Sequence, residues 1–295
     1  MGLVLLLAEG LLLAWGLAVG YAWWTLTHPP RRTYTGAVAR GRPGDPGELT
    51  PARAFSEFAV RSRGRTLPAW HIPGDAADGP VVVLTHGWGD SRLGALVRLG
   101  ALLPRASAVI AWDLPGHGES PGRSDLGTRE AVDLLAVLET VGEYRPIVLY
   151  GWSLGAGVSL VAAACSERVK GVIAEAPYRL AITPARNVMR LRRLPHAGVL
   201  EVALGIIGQL RGAGVRWKRP HGPLREEFDR AVVAARVRCP VLVVHGTLDE
   251  VCPVEDGRAI AHAAGGRIVE APEGHHNDLW TDGAVCGEAV GEFLR

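Results

Sequence analysis

Lysine and cysteine are scarce in this chain of 295 residues, which contains two lysines and four cysteines. The cysteines form no C-x-x-C pair and have no histidine at metal-ligand spacing: Cys165, Cys239, Cys252 and Cys286. This spacing argues against a zinc site. We expect the four to be small buried hydrophobic residues in a reducing compartment, with a Cys239–Cys252 disulfide as the alternative.

A large net charge of one sign is also lacking. The formal charge is +2 at pH 7, which gives no reason to expect nucleic acid or an acidic polymer as a partner. No long stretch combines low hydrophobicity with high charge, and 48% of the residues are hydrophobic, so the chain is expected to be globular. A length of this order suits one α/β domain with an appendage.

The appendage is an apolar stretch near the N-terminus, from Leu3 to Leu26, interrupted only by Glu9 and Thr25. At about 1.5 Å per residue, an α-helix of this length crosses a hydrocarbon core of about 30 Å. Aromatic rings, which favour the headgroup level, cluster at its far end: Tyr21, Trp23 and Trp24. The sequence therefore predicts a transmembrane anchor over residues 1–28.

The orientation of this anchor is predicted from the charges around it. A cleaved signal peptide is the alternative, but the basic n-region is missing and the apolar stretch is too long. Basic residues follow the stretch: Arg31, Arg32, Arg40 and Arg42. The positive-inside rule then places the following domain in the cytoplasm. Residues 29–54, rich in Gly and Pro, are predicted to be an irregular linker to a domain over residues 55–295.

The domain begins with a predicted hairpin around residues 63–65 and continues with buried strands. Five continuously apolar runs predict strands covered on both faces: VVVLTH (81–86), AVIAW (108–112), IVLYG (147–151), GVIAEA (171–176) and VLVVHG (241–246). Helical patterns lie between them, as in residues 128–141. This alternation predicts an α/β fold with a mostly parallel sheet, helices on both faces, and sites at the carboxyl ends of the strands.

The interval from Tyr178 to Arg238 is too long for a simple crossover, so we predict an inserted cap after the sixth strand. It carries thirteen basic residues and four acidic ones. Residues 198–210 within it are a candidate apolar helix. The basic residues suit either a solvated arginine-rich face or contact with anionic lipid headgroups.

The strongest chemical signal is Gly151–Trp152–Ser153–Leu154–Gly155, which fits G-x-S-x-G between an apolar strand and a helix. The glycines permit the strand to turn sharply into the helix and leave the serine oxygen exposed. The same glycine-rich run lacks the lysine of a phosphate-binding loop. Ser153 is therefore the candidate nucleophile.

A serine nucleophile needs a base, and the base needs a carboxylate to orient it. Asp249 lies directly after a buried strand in VLVVHGTLDEVCP. His275 and His276 follow in APEGHHNDLW, in a glycine-containing loop before the last helix. The chain thus supplies serine, acid and histidine in that order.

From about Phe55 onward, these motifs resemble those of the α/β-hydrolases. The segments PEGHHNDLW and HGWGDS are especially similar to those of the membrane-anchored Bem46-like hydrolases, which are related to the α/β-hydrolase domain-containing proteins. The resemblance implies the α/β-hydrolase fold and selects His276 as the catalytic base. It matches Asp249 to the acid, with Glu175 as the alternative because some relatives carry the acid after that strand.

The resemblance also implies an oxyanion hole and a structural turn. The backbone N–H groups of Trp88 and Leu154 would bind the oxyanion, and His86 would brace the loop before Trp88. Residues 113–120 match the D-x-x-G-x-G-x-S turn of the family, in which Asp113 anchors the loop. Asp278 is expected to support the histidine loop or to cap the final helix.

Together these observations predict a membrane-bound serine hydrolase that needs no cofactor or metal. His276 would deprotonate Ser153 for attack on an ester or thioester, with Asp249 stabilising the imidazolium. The apolar N-terminal helix and the apolar cap helix favour a lipid-like or acylated substrate. The alternatives are a protein depalmitoylase or peptidase that uses the same site, and a non-catalytic scaffold protein bound to the membrane.

Overall fold

The computed structural model describes residues 2–142, 145–194, 196–210, 229–281 and 284–295. Within these ranges, eight strands form one sheet: β1 (Ser56–Ser62), β2 (Arg65–Pro73), β3 (Val81–Thr85), β4 (Ala108–Trp112), β5 (Ile147–Trp152), β6 (Val169–Glu175), β7 (Val241–Gly246) and β8 (Arg267–Ala271). Their spatial order is β1-β2-β4-β3-β5-β6-β7-β8. The β1–β2 and β2–β4 pairs are antiparallel, and all the other neighbouring pairs are parallel.

The helices of the described residues complete the α/β pattern. They are α1 (Gly2–Thr27), α2 (Tyr34–Val38), α3 (Leu99–Leu102), α4 (Glu130–Leu138), α5 (Leu154–Cys165), α6 (Ile182–Leu191), α7 (Val199–Leu210), α8 (Arg230–Ala234), α9 (Val254–Ala263) and α10 (Ala284–Phe293). Parallel neighbours such as β5 and β6 require a crossover, and α5 provides it. The carboxyl ends of the parallel strands therefore meet at one edge of the sheet.

Both faces of the sheet are buried, because successive side chains of a strand point to opposite sides. In β3, Val81 and Val83 belong to one apolar cluster and Val82 and Leu84 belong to another. All four are at least nine-tenths buried. Full burial of an aliphatic side chain contributes about 2 kcal/mol, so the central strands stabilise the sheet from both sides.

The structure confirms the predicted hairpin and all five buried strands. The edge strand β8 was not predicted, because Arg267 and Glu270 interrupt its short apolar core. The predicted helix over residues 128–141 is shorter and becomes α4. The predicted irregular linker contains the short helix α2, whose first turn is capped by the Thr33 hydroxyl.

The predicted cap lies between β6 and β7 and contains α6, α7 and α8. The apolar helix predicted over residues 198–210 is confirmed as α7. Part of the basic segment lies outside the described residues: Arg211, Arg216, Lys218, Arg219 and Arg225. In the described part of the cap, the basic residues lie on α6 and the segments that adjoin it, and on or just after α8: Arg230, Arg236 and Arg238.

The N-terminal helix α1 is a single run of 26 residues. Among the described helices it alone is long and apolar enough to cross a membrane, and a signal sequence meets the same criterion. Its N-terminal half is exposed, whereas Val19, Ala22 and Thr27 are buried against the rest of the protein. The last part of α1 thus packs on the domain that follows it.

The four cysteines are free thiols, so the alternative of a Cys239–Cys252 disulfide is wrong. Cys252 and Cys286 are buried, as expected for small hydrophobic residues. Cys165 is exposed and Cys239 is partly exposed, so the expectation of burial is wrong for Cys165. Cys165 ends α5, where the helix reaches the surface.

Candidate active site

Ser153 occupies a strained turn between β5 and α5. Its φ of 52° and ψ of −108° lie outside the regions that L-residues ordinarily adopt. Such a conformation costs on the order of 1 to 3 kcal/mol and persists only where surrounding structure enforces it. The Ser153 N–H donates to the Glu175 carbonyl at 2.8 Å, which ties the turn to the neighbouring strand β6.

The two glycines of the motif are required by close backbone contacts. A β-carbon at Gly151 would lie 2.3 Å from the Gly155 carbonyl oxygen. A β-carbon at Gly155 would lie 2.0 Å from the Thr85 carbonyl oxygen at the end of β3. Any side chain at either position would therefore force the strand and helix apart, which explains the G-x-S-x-G pattern in physical terms.

The structure brings together Ser153, His276 and Asp249. The His276 Nε2 lies 3.1 Å from the Ser153 Oγ, and the His276 Nδ1 lies 2.7 Å from Asp249 Oδ2. Asp249 follows β7 and His276 follows β8, so all three side chains come from the carboxyl ends of parallel strands. Both imidazole nitrogens are in hydrogen-bonding range, one with a hydroxyl and the other with a carboxylate.

The neighbouring His275 is placed differently. Its Nδ1 lies 3.7 Å from Glu250 Oε2, and its side chain is 45% exposed against 10% for His276. The His275 N–H donates to Asp278 Oδ1 at 2.7 Å. Asp278 thus supports the histidine loop, which is the first of its two predicted roles.

Asp249 is held as a carboxylate by its surroundings. Burial alone would raise its pKa, but hydrogen bonds from His245 and His276 hold the pKa well below the usual value for an aspartate. The backbone N–H groups of Val251 and Cys252 also donate to Asp249 Oδ1, at 2.9 and 2.7 Å. A carboxylate fixed in this way orients an imidazole and stabilises its protonated form.

The loop after β3 runs beside the serine. A β-carbon at Gly87 would lie 3.4 Å from the Ser153 Cβ, and Trp88 follows directly. The Trp88 indole Nε1–H donates to the Leu26 carbonyl at 3.0 Å, so the last turn of α1 fastens this loop. Leu154 is the first residue of α5. Of the two residues predicted for the oxyanion hole, Leu154 directly follows Ser153, and Trp88 belongs to the loop that runs beside the serine.

His86 and Asp113 hold the surrounding loops. The His86 Nδ1–H donates to the Gly87 carbonyl at 2.7 Å, and the His86 Nε2 accepts from the Leu114 N–H at 3.0 Å. Burial lowers the His86 pKa to about 4, so the ring is neutral and can accept that bond. Asp113 accepts from the backbone N–H and the guanidinium of Arg92. Both residues have the structural roles that the sequence predicts.

Glu175, the alternative acid, is paired elsewhere. Its carboxylate forms a buried ion pair with Arg98 and accepts from the Tyr150 hydroxyl and, at 2.9 Å, from the Trp280 Nε1–H. These partners occupy the carboxylate oxygens of Glu175, and the His276 Nδ1–H donates to Asp249 instead. Removing Glu175 would leave the Arg98 charge buried without a partner, at a cost of about 3 to 5 kcal/mol, so Glu175 has a structural role beneath the turn.

Arg98 is a residue that the sequence analysis missed. It lies in the 3₁₀ segment Arg92–Arg98, and its guanidinium stacks on the Trp152 ring at 4.8 Å from the centroid. Trp152 directly precedes Ser153. No signal in the sequence marks Arg98, because a lone arginine in an apolar stretch resembles a surface residue until its buried partner is known.

The site contains one group of potential metal ligands among the described residues. The ligand atoms of Asp249, Cys252 and His276 lie within 4.8 Å of one another. Burial raises the pKa of the Cys252 thiol well above its usual value, so it is not the thiolate that a metal prefers. Asp249 and His276 are already joined by a hydrogen bond. This donor set does not fit a metal.

Comparisons with known proteins identify the family of the chain. The model of the family described as "Alpha/beta hydrolase family" matches residues 82–287. A pimeloyl-[acyl-carrier protein] methyl ester esterase of Chromobacterium violaceum is 30% identical over 253 residues, which cover 74% of this chain and 95% of that protein. An uncharacterized Mycobacterium tuberculosis protein is 28% identical over 241 residues, covering 78% and 75%.

Solved structures show the same fold. The esterase Pf2001 of Pyrococcus furiosus superposes with a TM-score of 0.69 at 18% identity, covering 92% of this chain and 97% of that one. A hydrolase from Pseudomonas aeruginosa superposes with a TM-score of 0.59 at 26% identity, covering 81% and 98%. At 18% identity, the likeness to the archaeal enzyme concerns the fold alone.

Proposed function

The chain belongs to the alpha/beta hydrolase family, and on that premise we propose that it is a serine esterase with Ser153, His276 and Asp249 as its catalytic triad. Its relatives include esterases, which supports hydrolysis of an ester bond. The observation that carries the proposal is the hydrogen-bond chain from the Ser153 hydroxyl through His276 to Asp249.

The proposed mechanism follows from these two hydrogen bonds. His276 Nε2 takes the Ser153 proton as Oγ attacks the ester carbonyl, and Asp249 stabilises the imidazolium that forms. The tetrahedral intermediate collapses, the C–O bond to the alcohol breaks, and His276 returns its proton to the leaving oxygen. Water, deprotonated by His276, then attacks the acyl-enzyme. The acyl C–Oγ bond breaks, His276 returns the proton to Ser153 Oγ, and the carboxylic acid is released.

We assign the oxyanion hole to the backbone N–H groups of Trp88 and Leu154. A donor of this kind contributes on the order of 3 kcal/mol, because it binds the charge that develops only in the transition state. The Leu154 N–H also lies in the first turn of α5, where the helix dipole favours negative charge. The bond from the Trp88 indole to Leu26 supports this assignment, since it restrains the loop that carries the donor.

The substrate that this setting favours is lipid-like or acylated. We propose that α1 anchors residues 55–295 to a membrane through the linker 29–54, with the domain on the cytoplasmic side, as in the Bem46-like hydrolases that its motifs resemble. Two features support this: the exposed apolar N-terminal half of α1, and the contact of its other half with the cap helix α7. An ester that partitions into the bilayer would then reach the site from close by.

Hydrolysis of a panel of esters by the full chain in phospholipid vesicles tests this function. We expect kcat/KM to rise with acyl length by up to about fourfold per methylene, because each buried CH₂ contributes about 0.8 kcal/mol. Matched amides with the same acyl chains are the control and should react far more slowly. Preference for the amides, or the absence of ester hydrolysis across the panel, would contradict the proposal.

A further inference from the structure

The end of α1 lies alongside α7, and the two helices run in the same direction. Residues that follow one another along α1 meet residues that follow one another along α7. Val19 and Ala22 pack with Val199 and Ala203, in one apolar cluster. Further along, Trp23 and Leu26 pack with Leu204 and Ile207. The start of α7 therefore lies towards the middle of α1.

Contacts at both ends define the part of α1 that packs against the rest of the described chain. A β-carbon at Gly198, just before α7, would lie 3.8 Å from the Trp15 Nε1. At the other end, the Ser124 N–H donates to the Thr27 carbonyl at 2.9 Å, and Arg31 donates to the Gly118 and Ser120 carbonyls. The cap thus accompanies α1 from Trp15 to Leu26, and the loop around Ser124 holds its last residue.

This contact falls inside the candidate membrane span, Gly2–Thr27. Residues 2–14 of that span extend beyond Trp15, and at 1.5 Å per residue they cover about 20 Å. A hydrocarbon core is about 30 Å thick. If α1 crosses the membrane, the level of Trp15 and Gly198 must lie about 10 Å below the hydrocarbon boundary, and a tilt of α1 increases this depth.

The segment near the start of α7 would enter the bilayer first, and it has the composition of a segment that lies at a membrane–water interface. We call residues 190–194, the end of α6 and the start of the segment that leads to α7, the cap tip. Leu191 is 57% exposed and Leu194 is 39% exposed. Between and beside them lie three exposed arginines: Arg190, Arg192 and Arg193. Leucines can enter the acyl region while long arginine side chains reach back to phosphate groups.

From these observations we propose that the cap tip docks into the interfacial region of an anionic phospholipid bilayer beside α1. The cap and the Ser153 loops would then face the lipid, and a lipid-like ester would not have to cross bulk water. The inference rests on the proposed membrane crossing of α1 and deepens the substrate class proposed above. It is independent of catalysis, because lipid contact does not require the triad.

Depth measurements on the full chain test this docking. A fluorescent NBD label on Leu191→Cys is compared with the same label on Val132→Cys, an exposed α4 position with a similar 52% exposure. Both are made with Cys165→Ser and Cys239→Ser, because those native thiols are at least partly exposed. The protein is reconstituted in vesicles of phosphatidylcholine and phosphatidylglycerol, and brominated lipids serve as quenchers.

We expect the label at position 191 to shift to shorter wavelength and to be quenched by brominated lipid, with stronger quenching when phosphatidylglycerol is present. The label at position 132 should keep the emission of a label in water. An emission at position 191 equal to that control would overturn the docking, and so would shielding without lipid quenching, which indicates contact with a second copy. The same labels in a Ser153→Ala background should give the same depths, so failure of the esterase proposal would remain distinguishable.

Discussion

Ser153→Ala is expected to lower kcat for ester hydrolysis by about 10⁶-fold, because the variant has no hydroxyl for His276 to activate. Alanine keeps a β-carbon, so the strain of the positive φ at position 153 stays as it is in the native turn. The Ser153 hydroxyl lies within hydrogen-bonding distance of His276, and we expect its loss to leave the midpoint of thermal unfolding nearly unchanged. Steady-state kinetics on a soluble ester, together with thermal unfolding, measure both effects.

A matched control is available on the same helix. Ser159 lies on α5, is buried, and has a hydroxyl with no hydrogen-bond partner in the described part of the chain. Ser159→Ala should keep kcat and the midpoint of unfolding close to those of the native protein. If Ser153→Ala keeps substantial activity while Ser159→Ala loses it, the nucleophile has been assigned to the wrong residue.

The second large expected effect is a difference in kcat between alanine variants of the two adjacent histidines. His276→Ala should lower kcat by about as much as Ser153→Ala, since serine and histidine act as a unit. His275→Ala should change kcat by no more than about twofold, because the side chain is nearly half exposed, has no bond to Ser153, and the loop bond to Asp278 is donated by the His275 backbone. The same ester assay measures both variants, which carry identical substitutions at neighbouring positions.

The double variant Ser153→Ala/His276→Ala sharpens this second result. Two residues that act as one unit give a combined loss close to either single loss, whereas independent contributions multiply. We expect the double variant to match Ser153→Ala. A loss confined to His275→Ala, or a multiplied loss in the double variant, would contradict the assignment of His276 as the base for Ser153.

Much of the fold was predictable because its central strands are buried on both faces. Continuous apolar runs marked β3 to β7, and the G-x-S-x-G pattern marked the turn at Ser153. The edge strand β8 escaped prediction because its charged residues, Arg267 and Glu270, break the apolar run. Such a strand is defined by pairing with β7 more than by its own pattern.

The site was predictable where the chemistry demands particular residue types in a fixed order. Serine and aspartate were each marked by a motif at the end of a predicted strand, and histidine was marked by a glycine-containing loop before the last helix. The choice between His275 and His276 was different, because both have the same side chain and only the loop geometry separates their environments. Resemblance to a family selected His276, and the hydrogen bonds agree with that selection.

The supporting contacts were not predictable, because they join residues far apart in sequence. Arg98 pairs with Glu175 across 77 positions, and the Trp88 indole bonds to Leu26 across 62 positions. Neither contact has a local sequence pattern. The sequence predicted α1 as an anchor, whereas its packing on α7 and on the Trp88 loop makes its last turns part of the domain.

The central claim is that Ser153 is the nucleophile, and covalent labelling tests it most directly. The full chain is treated with a fluorophosphonate, digested, and analysed by mass spectrometry, with Ser153→Ala and His276→Ala treated in parallel. The account predicts one phosphonylated peptide in the native protein, modified at Ser153, with no such adduct in Ser153→Ala and greatly slowed labelling in His276→Ala. An active native protein that resists labelling, or an adduct on another residue that persists in Ser153→Ala, would contradict it.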